Sequence, residues 1–199
     1  MHPKRANTPL FVYCDADFAG DTKTRRSTTG FVVTMGDVPV CWMSRRQSLV
    51  ATSTLEAEYI ALFEASQEIV FVQRLVTDAG NQPVELPTTI LCDNQGAKEV
   101  AEHPKFHKRT KHIDIKFHKI RERVQTGIVA VEYVASANNT ADIFTKALPR
   151  ETFQRHMRSL VSPVPPRFLA AKVESDVTST DKETLTCEGE ANKDALKSE

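Results

Sequence analysis

Residues 12–21 of the sequence read VYCDADFAGD, and they place Asp15, Asp17 and Asp21 directly after an apolar run. The run, which begins at residue 10, is typical of a strand that leads into a hydrophobic core. Clustered carboxylates repel one another and resist burial. Their position therefore predicts one of two things: acids that cap a loop, or acids that bind a cation.

The pattern outward from this strand predicts an α/β fold with the element order β-β-β-α-β-α-α-β-α. Two more strands follow around a turn at Gly36, and a long helix extends from near Thr52 to Gly80. Two further strands, TTILCD and IVAVEYV, alternate with shorter helices, the last of which lie around Pro149. This order predicts a mixed five-stranded sheet with helices on both faces.

The composition indicates one globular domain with extensions. The chain has 199 residues, 40% of them hydrophobic, and a formal net charge of zero. We expect a flexible leader at 1–9, a folded domain at 10–161 and a disordered tail at 162–199, because the tail is polar and shows no sustained period. The four cysteines form no CxxC pair, and no segment suits a signal peptide or a membrane span. We therefore expect an intracellular, cytoplasmic protein.

Further acids follow apolar segments elsewhere in the chain. On a helical wheel Glu58 lies at the edge of the apolar stripe of the long helix, whereas Glu56, Glu64 and Glu68 lie on the side expected to face water. Asp93 follows the fourth strand and suits either a helix N-cap or a site. Asp142 suits the first turn of a closing helix, where an acid complements the helix dipole, and Asn138 could share its face.

The acids gain weight together, because adjacent strands deliver side chains to one edge of a sheet. If the first and fourth strands pair, Asp15 and Asp93 become neighbours, and Glu58 and Asp142 could reach the same place. In this interpretation the four carboxylates have no matching Lys or Arg, so they need a cation. Oxygen ligands favour Mg²⁺, with Mn²⁺ as a substitute. Two such ions about 3.5–4 Å apart serve phosphoryl transfer.

Six collinear motifs resemble the ribonuclease H domain of Ty1/copia-type retrotransposon Pol polyproteins. They are YCDADFAGD, RRSTTGFVV, CWMSRRQSLVATSTLEAEYIAL, ILCDNQGA, RTKHIDIKFHKIRE and NNTADIFTKAL, and they cover roughly residues 10–160. The resemblance implies an RNase H-like fold whose D-E-D-D metal site consists of Asp15, Glu58, Asp93 and Asp142. Strand periodicity alone leaves Asp17 open as the first ligand. Without the protease, integrase and polymerase of such polyproteins, the chain looks like an isolated fragment.

The family resemblance also implies an activity and partners. The activity is metal-dependent hydrolysis of the RNA strand of an RNA–DNA hybrid during reverse transcription, with 5′-phosphate and 3′-hydroxyl products. The implied partners are the hybrid and a reverse transcriptase domain, with no membrane. In an active element the protein would reside in a virus-like particle, and the nucleus is a further location. The alternative function is a catalytically idle remnant that binds nucleic acid or a reverse transcriptase.

A basic segment follows the fourth strand and its helix. Residues 103–123 hold eight Lys or Arg, four His and two acids, a local excess that suits phosphate contacts. The predicted nucleic-acid-binding residues are Lys105, Lys108, Arg109, Lys111, Asn94 and Gln95, with Ser27 as a further polar contact. A zinc site built from His103, His107, His112 and His118 is disfavoured, because no cysteine or recurring ligand spacing accompanies the histidines. A role for His112 near the site stays open.

A DDE-type transposase or integrase shares the fold and the metal chemistry that the acids predict. In that class the glutamate follows the second aspartate in the chain, whereas Glu58 here lies between Asp15 and Asp93. The order of the acids therefore argues against such an enzyme.

Overall fold

The structure is a computed structural model that describes residues 9–36, 38–79, 84–102 and 111–161, except for the side chains of 111–114 and 117. Residues 1–8 of the predicted leader and the whole predicted tail, 162–199, lie outside the described residues. The five strands are β1 (Leu10–Asp17), β2 (Thr28–Met35), β3 (Val38–Arg46), β4 (Thr88–Cys92) and β5 (Val129–Tyr133). The helices are α1 (Thr54–Asp78), α2 (Gln95–Glu102), α3 (Lys111–Gln125) and α4 (Arg150–Leu160), with two 3₁₀ turns at Ser136–Asn138 and Thr140–Phe144. The predicted order of elements is confirmed.

The strands form one mixed sheet in the order β3-β2-β1-β4-β5. The first three pair antiparallel, as a meander, whereas β4 pairs parallel with both β1 and β5. The register places Cys14 of β1 beside Cys92 of β4. The predicted pairing of the first and fourth strands is therefore confirmed, and it brings their carboxyl ends together.

The hydrophobic core lies between α1 and one face of the sheet. On β1 and β2 this face carries the paired residues Val12 and Val33, and Cys14 with Phe31, all buried. The helical residues that fill the other side of this core share one stripe of α1: Tyr59, Leu62, Ile69 and Val72. Removing this apolar area from water stabilises the fold at about 25 cal/mol per Å². The core thus fixes α1, and with it Glu58, against the central strand.

The opposite face of the sheet carries Phe11 and Tyr13. Together with Thr34 they line a cavity of about 300 Å³ whose other wall includes Ser159 and Leu160 at the end of α4. Helices therefore lie on both faces, as predicted. Among the described residues no helix is long and apolar enough to cross a membrane.

The prediction that Glu56, Glu64 and Glu68 face water is wrong. Glu56 is buried, and its carboxylate accepts hydrogen bonds from Thr52 (2.7 Å from the backbone nitrogen), while the Ser53 hydroxyl accepts from the Glu56 backbone. This reciprocal arrangement caps the start of α1.

Glu64 and Glu68 are half-buried because the side of α1 that carries them faces the edge strand β3. Glu64 forms an ion pair with Arg45 (3.1 Å), and Glu68 accepts a hydrogen bond from the Cys41 thiol (3.2 Å). A helical wheel describes one helix in isolation and cannot include such neighbours.

The three described cysteines are free thiols. Cys14 and Cys92 are buried side by side in the sheet, and burial raises the pKa of both thiols, that of Cys92 to about 12. They pack as small hydrophobic residues, as the sequence predicts.

Candidate active site

Three carboxylates meet at the edge of the sheet where β1 and β4 end. Asp15 is the sixth residue of β1, Asp93 directly follows β4, and Glu58 lies one turn into α1. One oxygen from each of the three lies within 4.8 Å of the others. The arrangement follows from the parallel pairing of β1 and β4 and from the packing of α1 on β1.

Glu58 is the member of this group that α1 supplies, and it is buried. It is 6% exposed, and its Oε2 atom has no hydrogen-bond partner among the described residues. Burial, followed by the charges of Asp15 and Asp93, raises the pKa of Glu58 to about 9; Lys146 and a hydrogen bond from the Ala16 backbone act in the opposite direction. A buried carboxylate oxygen without a partner, in a group of oxygen donors, fits a hard divalent cation.

Asp142 lies close to this group without joining it. It belongs to the 3₁₀ turn Thr140–Phe144, not to the α-helix that the sequence predicts. Asn139, not Asn138, attaches this turn to the sheet: its side chain donates to the Cys14 carbonyl (2.9 Å) and accepts from the Ala141 backbone. Burial and the charge of Asp15 raise the pKa of Asp142 to about 6.

Two further side chains complete the site, and sequence reasoning missed both. The Thr145 hydroxyl donates a hydrogen bond to Asp15. The Lys146 ammonium lies 3.1 Å from Asp142 Oδ1 and 3.4 Å from Asp15 Oδ2. The sequence interpretation that the acids have no matching cation is therefore wrong. The available signal was the spacing of Asp142 and Lys146, because residues four apart on a helical segment are neighbours.

Gly30 permits this arrangement by its lack of a side chain. It pairs with Asp15 across β1 and β2, and a Cβ atom placed on it would lie 2.6 Å from Thr145 Cγ2 and 2.8 Å from Phe144 Cβ. The 3₁₀ turn that carries Asp142 can therefore approach β2 only because residue 30 is glycine.

We expect Gly30→Ala to destabilise the protein by about 1–3 kcal/mol, the usual cost of overpacking, and to displace the turn. Chemical denaturation measures the first effect, and the affinity for Mn²⁺ measures the second. The control is Gly96→Ala in α2, where an added Cβ would meet its nearest neighbours at 3.2 and 3.4 Å. Equal stability of the two variants would contradict the close approach of the turn to β2.

The remaining predicted residues have different placements. Asp17, the alternative first ligand, is half-buried and lies outside the group of three carboxylates. Asn94, not Asp93, caps α2, since its side-chain oxygen accepts from the Ala97 backbone (3.0 Å). Gln95 is exposed, so it is available for contacts. Ser27 is fully buried and accepts a hydrogen bond from the Ala19 backbone, so the prediction that it contacts a ligand is wrong.

Most of the predicted basic contacts cannot be placed. Lys105, Lys108 and Arg109 lie outside the described residues, as do His103 and His107 of the disfavoured zinc site. Lys111 is the first residue of α3, but its side chain and that of His112 are not described. Among the residues that can be placed, no histidine joins the acidic group.

Comparison with known proteins gives a consistent result. The chain is 41% identical over 165 residues to the retrovirus-related Pol polyprotein from transposon RE2 of Arabidopsis thaliana, a match that covers 82% of this chain and 11% of the polyprotein. It is 39% identical over 142 residues to the corresponding polyprotein from transposon TNT 1-94 of Nicotiana tabacum, covering 71% of this chain and 10% of that one. The chain is a homologue of copia-type transposon Pol polyproteins.

The solved structures show which fold this Pol homologue has. LC11-RNase H1, isolated from compost by a metagenomic approach, matches with a TM-score of 0.52 at 17% identity, over 75% of this chain and 99% of that one. The same enzyme in complex with an RNA/DNA hybrid matches with a TM-score of 0.50 at 16% identity, over 68% and 93%. The Pol homologue therefore contains an RNase H-like domain, and the predicted family resemblance is confirmed. It spans about a tenth of the length of its polyprotein relatives. No protein-family model matches the chain.

Proposed function

We propose that the chain is a divalent-cation-dependent ribonuclease H that hydrolyses the RNA strand of an RNA–DNA hybrid. One observation carries this proposal: on an RNase H fold, Asp15, Glu58 and Asp93 bring carboxylate oxygens within 4.8 Å of one another. A solved RNase H1 of the same fold is bound to an RNA/DNA hybrid, which supports the substrate class. Because the relatives are retrovirus-related Pol polyproteins, we propose that the domain acts beside a reverse transcriptase.

The described residues have distinct roles in this proposal. Asp15, Glu58 and Asp93 would hold Mg²⁺ or Mn²⁺. When bound, such an ion would supply an acidified water and positive charge for the phosphate. The Thr145 hydroxyl fixes the orientation of the Asp15 carboxylate. Asp142 borders the same site and is the fourth acid of the D-E-D-D set. Burial of Glu58 keeps bulk water from its carboxylate and leaves Oε2 without a partner among the described residues, so this oxygen is available to a cation that replaces the proton.

The test is cleavage of a hybrid whose RNA strand carries an end label, by the purified chain in Mg²⁺. We expect cleavage of the RNA strand only, none of a DNA duplex, and loss of cleavage in a chelator or in Asp93→Asn. A folded chain that binds the hybrid but leaves it intact in both Mg²⁺ and Mn²⁺ would instead indicate a catalytically idle remnant.

We further propose that three basic side chains on one loop bind the phosphate backbone of the hybrid. Lys23, Arg25 and Arg26 are exposed on the loop between β1 and β2, at the end of β1 near Asp15. Asp21 holds this loop: its carboxylate accepts from the Lys23 backbone (2.9 Å) and forms an ion pair with Arg46 (2.6 Å). Arg25 has a φ of 55°, a conformation that a non-glycine residue keeps only when its surroundings hold it. The backbone of the loop is therefore held in one conformation, from which the three basic side chains extend into solvent.

We expect the double variant Arg25→Gln/Arg26→Gln to bind the hybrid more weakly, with a shallower dependence of log affinity on log salt. Loss of two phosphate contacts reduces that slope by about 1.5–2. Fluorescence anisotropy at several salt concentrations measures both quantities. The matched control removes two exposed arginines far from the acids, Arg74→Gln/Arg158→Gln. Identical slopes for the two double variants would rule out the loop as a phosphate contact.

A further inference from the structure

Lys146 introduces a positive charge into the group of acids. Its ammonium contacts both Asp142 Oδ1 (3.1 Å) and Asp15 Oδ2 (3.4 Å). The side chains of these two acids are 8% and 2% exposed, whereas that of Lys146 is 37% exposed. The Lys146 side chain thus extends from the surface to two buried carboxylates, which its ammonium group contacts.

The contact divides the acids into two sets. Asp15, Glu58 and Asp93 offer oxygens close enough for one ion, and Asp142 is not part of that group. Asp142 instead pairs with Lys146, which it shares with Asp15. Asp15 therefore belongs to both sets: to the three-carboxylate group on one hand, and to the ion pair on the other.

We propose that Lys146 is a built-in counter-ion that takes the cation position between Asp15 and Asp142. The chain then binds one divalent cation tightly, at Asp15, Glu58 and Asp93, and binds a second only by displacing the lysine ammonium. The tightly bound cation belongs to the proposed function, and this inference rests on that function. Lys146 is a positioning residue in this account, because it acts through the carboxylates of Asp15 and Asp142.

The charge balance explains why the second divalent cation binds more weakly than the first. With Lys146 in place, a single divalent cation leaves the four carboxylates one charge short of neutrality, so a second brings excess positive charge. Like charges a few Å apart repel strongly in a poorly solvated site. A lysine suits this role, because its compact charge stands on a flexible stem that can swing back to water. An arginine, fixed by paired hydrogen bonds, would leave less readily.

The test is the binding of Mn²⁺ to the full chain. Isothermal titration calorimetry measures the binding, and the electron paramagnetic resonance signal of free Mn²⁺ gives the number of ions bound. For the native chain we expect one tight site and a second site whose dissociation constant is at least about 100-fold larger. This is the effect expected when two hydrogen bonds to charged groups must be broken before the second ion binds. In Lys146→Gln the second dissociation constant should fall at least tenfold and the first should change little. Lys146→Arg, which keeps the charge, should retain the weak second site.

The control is Lys98→Gln, which removes a surface lysine from an ion pair with Glu102. A second dissociation constant that stays the same in Lys146→Gln, or falls equally in Lys98→Gln, would overturn the proposal.

A measurement in chelator separates this inference from the proposed function. Lys146→Gln should lower the melting temperature of the metal-free chain, because Asp15 and Asp142 then repel each other without a counter-ion. In a chain that already carries Asp142→Asn, Lys146→Gln should lower the melting temperature much less, because one of the two repelling charges is absent. Strictly additive effects would overturn the counter-ion role. If the native chain binds no Mn²⁺ but the two substitutions are still coupled, the proposed function is overturned. The role of Lys146 as a counter-ion between Asp15 and Asp142 would then be supported, and its effect on a second cation would be overturned.

Discussion

Asp15→Asn is expected to lower the rate of RNA-strand cleavage by about a thousandfold while leaving the chain folded. Asn has the size of Asp and can still accept the hydrogen bond from Thr145, so the packing around this 1%-exposed residue is kept. What is lost is a charge that both the cation and Lys146 require. A metal ion contributes several kcal/mol to such a reaction, and each 1.36 kcal/mol is a factor of ten in rate.

Asp17→Asn is the matched control for this substitution. Asp17 lies two residues further on the same strand and the same sheet face, but outside the group of three carboxylates. We expect it to retain cleavage to within a few-fold in single-turnover assays with the enzyme in excess. Circular dichroism melts in chelator establish that both variants fold. If Asp17→Asn were as damaging as Asp15→Asn, the assignment of Asp15 as the first ligand would be wrong.

The pairing of acids across β1 and β4 could be predicted because it depends on regular structure. Each acid ends an apolar run, and parallel strands bring such ends together, so topology alone makes Asp15 and Asp93 neighbours. The position of Glu58 followed from helical periodicity and the packing of α1 on the sheet. For these residues the local pattern and the tertiary arrangement agree.

Other features depend on contacts that no local pattern contains. Asp93 and Asn94 are both good caps by residue type, and only the backbone around them decides that Asn94 caps α2. Glu56 looked solvent-facing because a helical wheel omits the hydrogen bonds that a helix start requires. Lys146 was overlooked because the closing segment forms a 3₁₀ turn, whose approach to β2 depends on Gly30 in a distant strand. For Lys146 the spacing of four from Asp142 was a local signal, whereas the roles of Glu56 and Asn94 become predictable only after the fold is known.

Glu58→Gln is expected to stabilise the metal-free chain at neutral and alkaline pH. The pKa of Glu58 is raised to about 9 in the folded chain, mainly by burial, from an ordinary value of 4.5. Between these values the folded state holds a proton that the unfolded state releases, so stability is fully present below about pH 4.5 and is lost as the pH rises toward 9. The loss is at most about 1.4 kcal/mol per pH unit.

The measurement is chemical denaturation in chelator at pH values from 5 to 9. For the native chain we expect a free energy of unfolding that falls across this range, and for Glu58→Gln a clearly flatter curve, because the amide has no proton to release. Glu151→Gln, on the exposed first turn of α4, removes a carboxylate away from the buried site and should follow the native curve. Parallel curves for the native chain and Glu58→Gln would show that Glu58 is ionised at little cost. We also expect added Mg²⁺ to raise the free energy of unfolding of the native chain at high pH, because the cation takes the place of the proton on the buried Glu58 carboxylate. Glu58→Gln should show no such increase.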